Sequence, residues 1–545
     1  MNYQSTRDRS AKVSAARAIV QGISHEGGLF VPETLPVLTP EELEGLVGLS
    51  YNEKAKAVLS RFLTDFTPDE IAHCVDGAYN TRSFDTHDIA EISKVGERSY
   101  FLELWHGPTC AFKDMALQLL PYLMKVSMDK EAPGTEVVVL VATSGDTGKA
   151  ALAGFADVPG TRMLVFYPEN GVSGMQKLQM VTQEGGNVSV CAIKGNFDDA
   201  QSGVKAIFTD PSIEAELRKN GQMFSSANSI NWGRLVPQIV YYVAAYTALV
   251  EQEEIAFGDT VNVCVPTGNF GNILAAYYAK RMGVPIGRLI CASNRNNVLT
   301  DFIRTGVYDR NRDFYTTTSP SMDILISSNL ERLLFHLSGE DDGLIRRWFA
   351  SLAETGRYAV SPDVQEKLQA EFWGGFCDDQ AAAEAIHGQF DRYGYLCDPH
   401  TAVAVKVYED YVRETGDDTR TIIASTASPY KFCGSVLPAV TREPVPEDPF
   451  AQMELLHRVS GMVPPVSLAG LVSALLVLGS VSSSSSMPSL KPFMVLPNIL
   501  PSLGRFLGPK MIRTTMRIIN NSVGPIRIIC YSFYIAGLRA RLYLT

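Results

Sequence analysis

The chain has 545 residues, of which 46% are hydrophobic and 20% charged, and a formal net charge of −11. This excludes a disordered chain, a collagen-like chain and a disulfide-built mini-protein, and it argues against nucleic acid as a partner. The charge is unevenly spread: nine of the 48 basic residues and none of the 59 acidic ones lie after Glu454, so residues 1–454 carry −20 and the last 91 carry +9. The nine cysteines are odd in number and widely spaced, with no C-x-x-C, which points to reduced thiols in a cytoplasmic protein. Met1–Val20 is mixed and charged and has no signal-peptide core.

In chain order, residues 1–92 read as helix-rich. Thr39 and Thr67 stand before Pro and acidic residues and are expected to cap two helices. From about residue 95 to 455 the pattern becomes strand, glycine-rich turn, helix, repeated. Continuous apolar runs at 136–142, 162–167, 261–265 and 288–292 are predicted strands buried on both faces. Their alternation with helical segments predicts an α/β fold, with parallel sheets covered by helices and ligand loops at the strands' carboxyl edge. The eight histidines show no metal-ligand spacing, so no metal is expected, and His400 reads as a helix-start residue. The pairs Tyr241–Tyr242 and Tyr277–Tyr278 read as core stripes.

Two strand-to-helix turns are rich in small residues: Thr143-Ser-Gly-Asp-Thr-Gly148 and Pro266-Thr-Gly-Asn-Phe-Gly-Asn272. Small residues and helix N–H groups suit an anion, and two such turns suggest a ligand or ligand pair with two anionic groups. Neither turn matches the P-loop or the dinucleotide fingerprint, which counts against kinases, ATPases and dehydrogenases. A third feature is His106-Gly-Pro-Thr-Cys-Ala-Phe-Lys-Asp114, followed by one predicted helix over 115–124. Lys113 there has apolar neighbours and a helix start beside it, both of which favour the neutral amine that a Schiff-base lysine needs.

These motifs, with Tyr3-Gln-Ser-Thr-Arg7, Glu26–Glu33, Ser226–Asn231 and Ala424–Phe432 in the same order, resemble the threonine synthase family. That family comprises pyridoxal-phosphate (PLP) enzymes of the tryptophan-synthase-β type, fold type II. The resemblance covers roughly 1–465. It implies an N-terminal helical domain at 1–92, a large PLP domain from 93–127 plus 233–455, and a small α/β domain at 128–232. By the same resemblance, Lys113 is the lysine that carries PLP. Gly268, Asn269, Phe270, Gly271 and Asn272 hold its phosphate, and Thr426 offers a hydroxyl to its ring nitrogen. Ser144, Asp146 and Thr147 meet the substrate carboxylate, and Asn228 and Arg234 lie near the substrate phosphate, with Ser5, Thr6 and Lys431 as further candidates. Departures from the family pattern are Asp8 in place of Gly, Ser428 in place of His and Asn272 where relatives also have Asp.

The implied reaction converts O-phospho-L-homoserine and water to L-threonine and phosphate, in a monomer or homodimer with neither nucleic acid nor membrane as partner. Two alternatives are a related phospholyase releasing 2-oxobutyrate and a non-catalytic PLP-binding protein. The atypical tail, 456–545, contains an uncharged run at 466–481, a little short of the roughly 18–20 residues needed to span a bilayer, then five serines. A basic lipid-surface segment or an aberrant end such as a shifted reading frame gives such a composition. The shifted frame explains why resemblance and acids stop together, and it predicts a poorly packed tail.

Overall fold

The computed structural model describes residues 1–471, apart from 170, 196 and 209. The tail beyond 471, with the expectation of poor packing there, lies outside the described residues. Among the described residues the chain folds into two compact units: Met1–Pro133 with Ser225–Val463, and Gly134–Phe224 with 464–471.

The first unit is built on a six-stranded sheet in the order Phe372–Phe376, Ile286–Ser293, Val261–Pro266, Thr421–Ser425, Ser99–Glu103, Glu91–Lys94. The first five are mutually parallel, and Glu91–Lys94 closes one edge as an antiparallel hairpin partner. Every residue of Val261–Pro266 is buried. Successive strand residues face opposite ways, so both sheet faces are covered, which is why the segment reads as an unbroken apolar run. The helix Pro399–Thr415 meets the sheet where Cys264 Sγ approaches the Ala404 carbonyl, and Gly271–Arg281 packs on Val261–Pro266 and Ile286–Ser293.

Thr39 and Thr67 each close a full capping box, with Glu42 and Glu70, at Pro40–Glu44 and Pro68–Ala78. The N-terminal region also contains a small antiparallel sheet of Asp8–Val13, Tyr3–Ser5 and Phe30–Pro32. Tyr3 and Phe62 set their rings 5.2 and 5.7 Å from that of Trp232, which opens the 20-residue helix Trp232–Glu251. That helix is apolar nearly all round and buried nearly all round.

The predicted helix over 115–124 is two: Asp114–Leu117 and Leu120–Glu131. Pro121 has no N–H to give the Leu117 carbonyl, and its ring would strike that carbonyl, so the first helix ends after one turn.

The second unit is a four-stranded sheet in the order Val188–Ile193, Thr161–Pro168, Glu136–Ala142, Gln222–Ser226. Val138, Leu140 and Ala142 join Phe166, Ile207, Ile213 and Leu217 in a core under the helices Phe197–Phe208 and Pro211–Lys219. Val137, Val139 and Val141 are equally buried on the opposite face.

Eight cysteines are free thiols and mostly buried; Cys530 lies outside the described residues. Among the described residues no helix is long and apolar enough to cross a membrane.

Candidate active site

Ser99–Glu103, Thr421–Ser425 and Val261–Pro266 are adjacent and parallel, so the segments that follow them leave the sheet at one edge. Those segments carry Lys113, Thr426 and the 268–272 loop.

The loop to Lys113 is tied down by Asp114, which is fully buried and accepts from the Thr109 N–H at 2.8 Å and the Thr109 hydroxyl at 2.7 Å. Burial pushes the Asp114 carboxyl up, and the Thr109 hydrogen bonds and the charge of Lys431 oppose it. Gly107 admits no side chain, since a Cβ would stand 2.4 Å from Asp114 Cβ. The Phe112 N–H donates to the Thr426 carbonyl at 2.8 Å, and Ala111 bridges to Ala427. The peptides flanking Lys113 and Thr426 are thus directly bonded. Lys113 is half-buried; its Nζ lies 4.8 Å over the Phe112 ring and donates to Ser321 Oγ at 3.2 Å. Asp114–Leu117, only a single turn, supplies little dipole. The Phe112 ring and the Ser321 hydroxyl are among the amine's immediate neighbours.

The 268–272 loop has its peptides oriented by hydrogen bonds to the segment that carries Ser327 and Asn329. The Gly268 carbonyl accepts from Ser327 Oγ at 2.8 Å, and the Asn269 carbonyl accepts from the Asn329 N–H at 3.1 Å and Nδ2 at 3.0 Å. In a trans peptide the N–H points opposite to the C=O. The N–H groups of Asn269 and Phe270 therefore face away from Ser327 and Asn329. The first turn of Gly271–Arg281 follows, with N–H groups beyond the reach of intrahelical carbonyls. Phe270 holds the reversal at φ 65°, a strained conformation for a bulky residue, with its ring 5.6 Å from that of Phe372. A Cβ on Gly268 would lie 2.7 Å from the Ser321 carbonyl oxygen, so this glycine is a close backbone approach. Asn272 Oδ1 accepts from the Tyr242 hydroxyl and lies 2.9 Å from that of Tyr241, and its Nδ2 has no hydrogen-bond partner among the described residues. The tyrosine pair is a core stripe whose polar tips orient a loop residue. An amine, a cradle of outward N–H groups at a helix start and an adjacent hydroxyl at Thr426 together fit the aldehyde, phosphate and ring nitrogen of PLP.

Asn228 and Arg234 flank the start of Trp232–Glu251, which packs against Asp114–Leu117. The Asn228 N–H donates to Ser226 Oγ at 3.1 Å, and Arg234 donates to the Ala227 carbonyl. Arg234 is buried, its Nε has no partner among the described residues, and burial pulls the guanidinium down to about 10, still a cation at neutral pH. Of the further candidates, Ser5 donates to Glu26, Thr6 to Glu331 at 2.6 Å and Lys431 to the Thr109 carbonyl at 2.7 Å.

In the second unit, the Thr143 hydroxyl accepts from the N–H groups of Gly145 at 2.9 Å and Gly148 at 2.8 Å. Asp146 is buried and receives Gln176 Nε2 at 2.9 Å, while Ser144 and Thr147 are half-buried.

Sequence reasoning missed Ser321, Ser327 and Asn329, which lie in a polar stretch without periodicity. It placed His400 at a helix start, where it is, but not its side-chain partners: Nδ1 lies 2.6 Å from Asp398 and Nε2 accepts from the Ser321 N–H at 3.1 Å. It also missed the cluster of Glu91, Glu103 and His106, whose donor atoms lie within 4.8 Å of one another. Burial alone would lower the His106 imidazole, but hydrogen bonds to Asp85 and Glu103 outweigh it and lift it to about 9.

Family models match along the chain: "Threonine synthase N terminus" at 2–79, "Pyridoxal-phosphate dependent enzyme" at 77–363 and "Threonine synthase, C-terminal" at 401–465. Threonine synthase-like 1 of Homo sapiens is 41% identical over 84% of this chain, and the chain spans 62% of that protein's length. Threonine synthase of Pseudomonas aeruginosa is 37% identical over 79% of this chain and 89% of its own. The crystal structure of PLP-bound threonine synthase from Brucella melitensis superposes with a TM-score of 0.74 at 36% identity, covering 85% of this chain and 95% of that one. With these matches, the chain belongs to the threonine synthase family of pyridoxal-phosphate dependent enzymes.

Proposed function

We propose that the protein converts O-phospho-L-homoserine and water to L-threonine and inorganic phosphate. The observation that supports this most is Lys113 Nζ, 3.2 Å from Ser321 Oγ on the turn that packs against the Gly268 loop. We assign Lys113 to the PLP aldehyde carbon, residues 268–272 to its phosphate and the Thr426 hydroxyl to its ring nitrogen. When bound, PLP supplies the electron sink for charge developing on the substrate carbons. A hydroxyl at Thr426 brings no full charge to the ring nitrogen, so it leaves that nitrogen largely unprotonated.

The Lys113 amine acts as general base for the Cα proton. Loss of a second proton from Cβ accompanies cleavage of the Cγ–O bond, and phosphate departs. A proton is restored at Cγ, water adds at Cβ, and the proton taken by Lys113 is returned to Cα. Arg234, as a buried cation, together with Asn228, is assigned to the departing phosphate; the Ser144–Thr147 turn is assigned to the substrate carboxylate.

The 41% relatives are named threonine synthase-like rather than threonine synthase; the second reading is release of 2-oxobutyrate, ammonia and phosphate from the same substrate and one water. Incubation with O-phospho-L-homoserine and identification of the products separates the two. Threonine and phosphate in equal amounts support the proposal, and a 2-oxo acid with ammonia supports the second reading. Lys113→Ala lowers either rate about 10³-fold; undiminished turnover in that variant would overturn both.

A further inference from the structure

Asp398 and His400 lie at the start of Pro399–Thr415, far along the chain from Lys113, and both are buried. Asp398 caps this helix. One carboxylate oxygen accepts the Thr401 N–H at 3.1 Å and the Thr401 hydroxyl, and the other accepts the His400 N–H at 3.0 Å and lies 2.6 Å from His400 Nδ1.

The far side of the imidazole settles its tautomer. The Ser321 backbone N–H points at His400 Nε2 from 3.1 Å. A peptide N–H can only donate, so Nε2 carries no proton and Nδ1 carries one, donated to Asp398. The Phe432 ring, edge-on at 5.0 Å, limits rotation of the imidazole. Ser321 sits on the one-turn helix Pro320–Met322, and its hydroxyl receives Lys113 Nζ. Its carbonyl abuts Gly268, and the following Asp323 accepts from Asn294 at 2.8 Å, Asn296 at 3.0 Å and Thr317 at 2.7 Å. On the other arm, the Thr401 hydroxyl, having donated to Asp398, accepts the Thr426 N–H at 3.3 Å.

We propose that Asp398 and His400 are positioning residues for the cofactor-bearing lysine. His400 holds the Ser321 turn so that its hydroxyl meets Lys113, and Asp398 fixes the His400 tautomer and, through Thr401, the peptide of Thr426. A buried carboxylate would thereby set two groups on neighbouring loops, the Lys113 amine and the Thr426 peptide, that are assigned to holding the cofactor. This rests on the reading of Lys113 as the Schiff-base lysine.

The test mixes apoprotein rapidly with pyridoxal 5′-phosphate and follows Schiff-base absorbance at Lys113, with peptide mass spectrometry after reduction to locate the adduct. His400→Leu slows formation about tenfold, as does Ser321→Ala. The double variant is within about twofold of the slower single one, because both changes remove one interaction. His400→Gln, whose carbonyl can accept from the Ser321 N–H, stays within about threefold of the unaltered protein. Wild-type speed in His400→Leu or Ser321→Ala, fully additive losses in the double variant, or His400→Gln as slow as His400→Leu overturns the proposal. Circular dichroism checks folding. Should His400→Leu fail to fold, Ser321→Ala, which keeps the backbone N–H on His400, and His400→Gln decide the matter. An unaltered apoprotein that forms no adduct at Lys113 overturns the functional reading itself; normal adduct formation in every variant overturns only the positioning role.

Discussion

Gly268→Ala is the sharpest test of the loop geometry. The added methyl would stand 2.7 Å from the Ser321 carbonyl oxygen and 3.2 Å from Met322 Cα, where ordinary contact begins near 3.4 Å. The shortfall is about 0.7 Å, and both obstacles are backbone, so no side-chain rotation relieves it. Such overpacking costs about 1–3 kcal/mol. Gly271, three residues on, is the control: its nearest atoms are Asn329 Nδ2 at 3.5 Å, Gln238 Nε2 at 3.7 Å and Ser229 Cβ at 3.7 Å, ordinary contacts. Alanine there sits in a helical first turn and gains up to about 1 kcal/mol from helix propensity. Thermal melting of the two apoproteins should therefore place Gly268→Ala below wild type and Gly271→Ala at or above it. A PLP titration should show weaker loading in Gly268→Ala, because the Ser321 turn, whose hydroxyl receives Lys113, is displaced. Equal melting of Gly268→Ala and wild type would refute the close approach on which the loop reading rests.

Three further outcomes follow from individual residues. His106 is raised from 6.5 to about 9 despite burial, through Asp85 and Glu103. Its stabilising contribution is fully present below about pH 6.5 and is lost as pH rises through about 9. At 1.36 kcal/mol per unit the bound is about 3 kcal/mol, reduced to about 1–2 by solvent around the half-exposed Asp85. Denaturation midpoints should fall across that window and flatten in His106→Asn. Asn272→Leu strips the buried Tyr242 hydroxyl of its acceptor, whereas Tyr241 can turn to Gln238 at 3.0 Å. The loss is about 1–3 kcal/mol in a melting assay, recovered by adding Tyr242→Phe. Arg234→Gln should lower kcat/KM for the phosphorylated substrate about 10²-fold while leaving PLP absorbance unchanged; a lost cofactor band instead would assign Arg234 to the cofactor or the core.

Legibility tracked how local the information was. Glu136–Ala142 and Val261–Pro266 are readable because burial on both faces leaves an unbroken apolar run. Thr39 and Thr67 are readable because a capping box is written within four residues. Tyr3–Ser5 and Phe30–Pro32 are too short, at three residues each, to display a period. The motif residues of the candidate site stand out through resemblance and anion-turn chemistry, but their supports do not. Ser321 matters because of where its backbone lies against Gly268 and His400, which no pattern within its own segment encodes. The split at Gln118–Leu119 could have been read from Pro121, whose missing N–H outweighs the helical periodicity around it.

The strand Thr421–Ser425 occupies the middle of its sheet, between Val261–Pro266 and Ser99–Glu103, yet it is the last of the six to leave the ribosome. Until it arrives, the nascent sheet is two fragments with facing unpaired edges, Ser99–Glu103 on one and Val261–Pro266 on the other. Thr426 and the peptide that grips Phe112 arrive with it. Any chain stopped before this point therefore lacks a central ladder as well as a site, and it presents two open edges for adhesion to other chains.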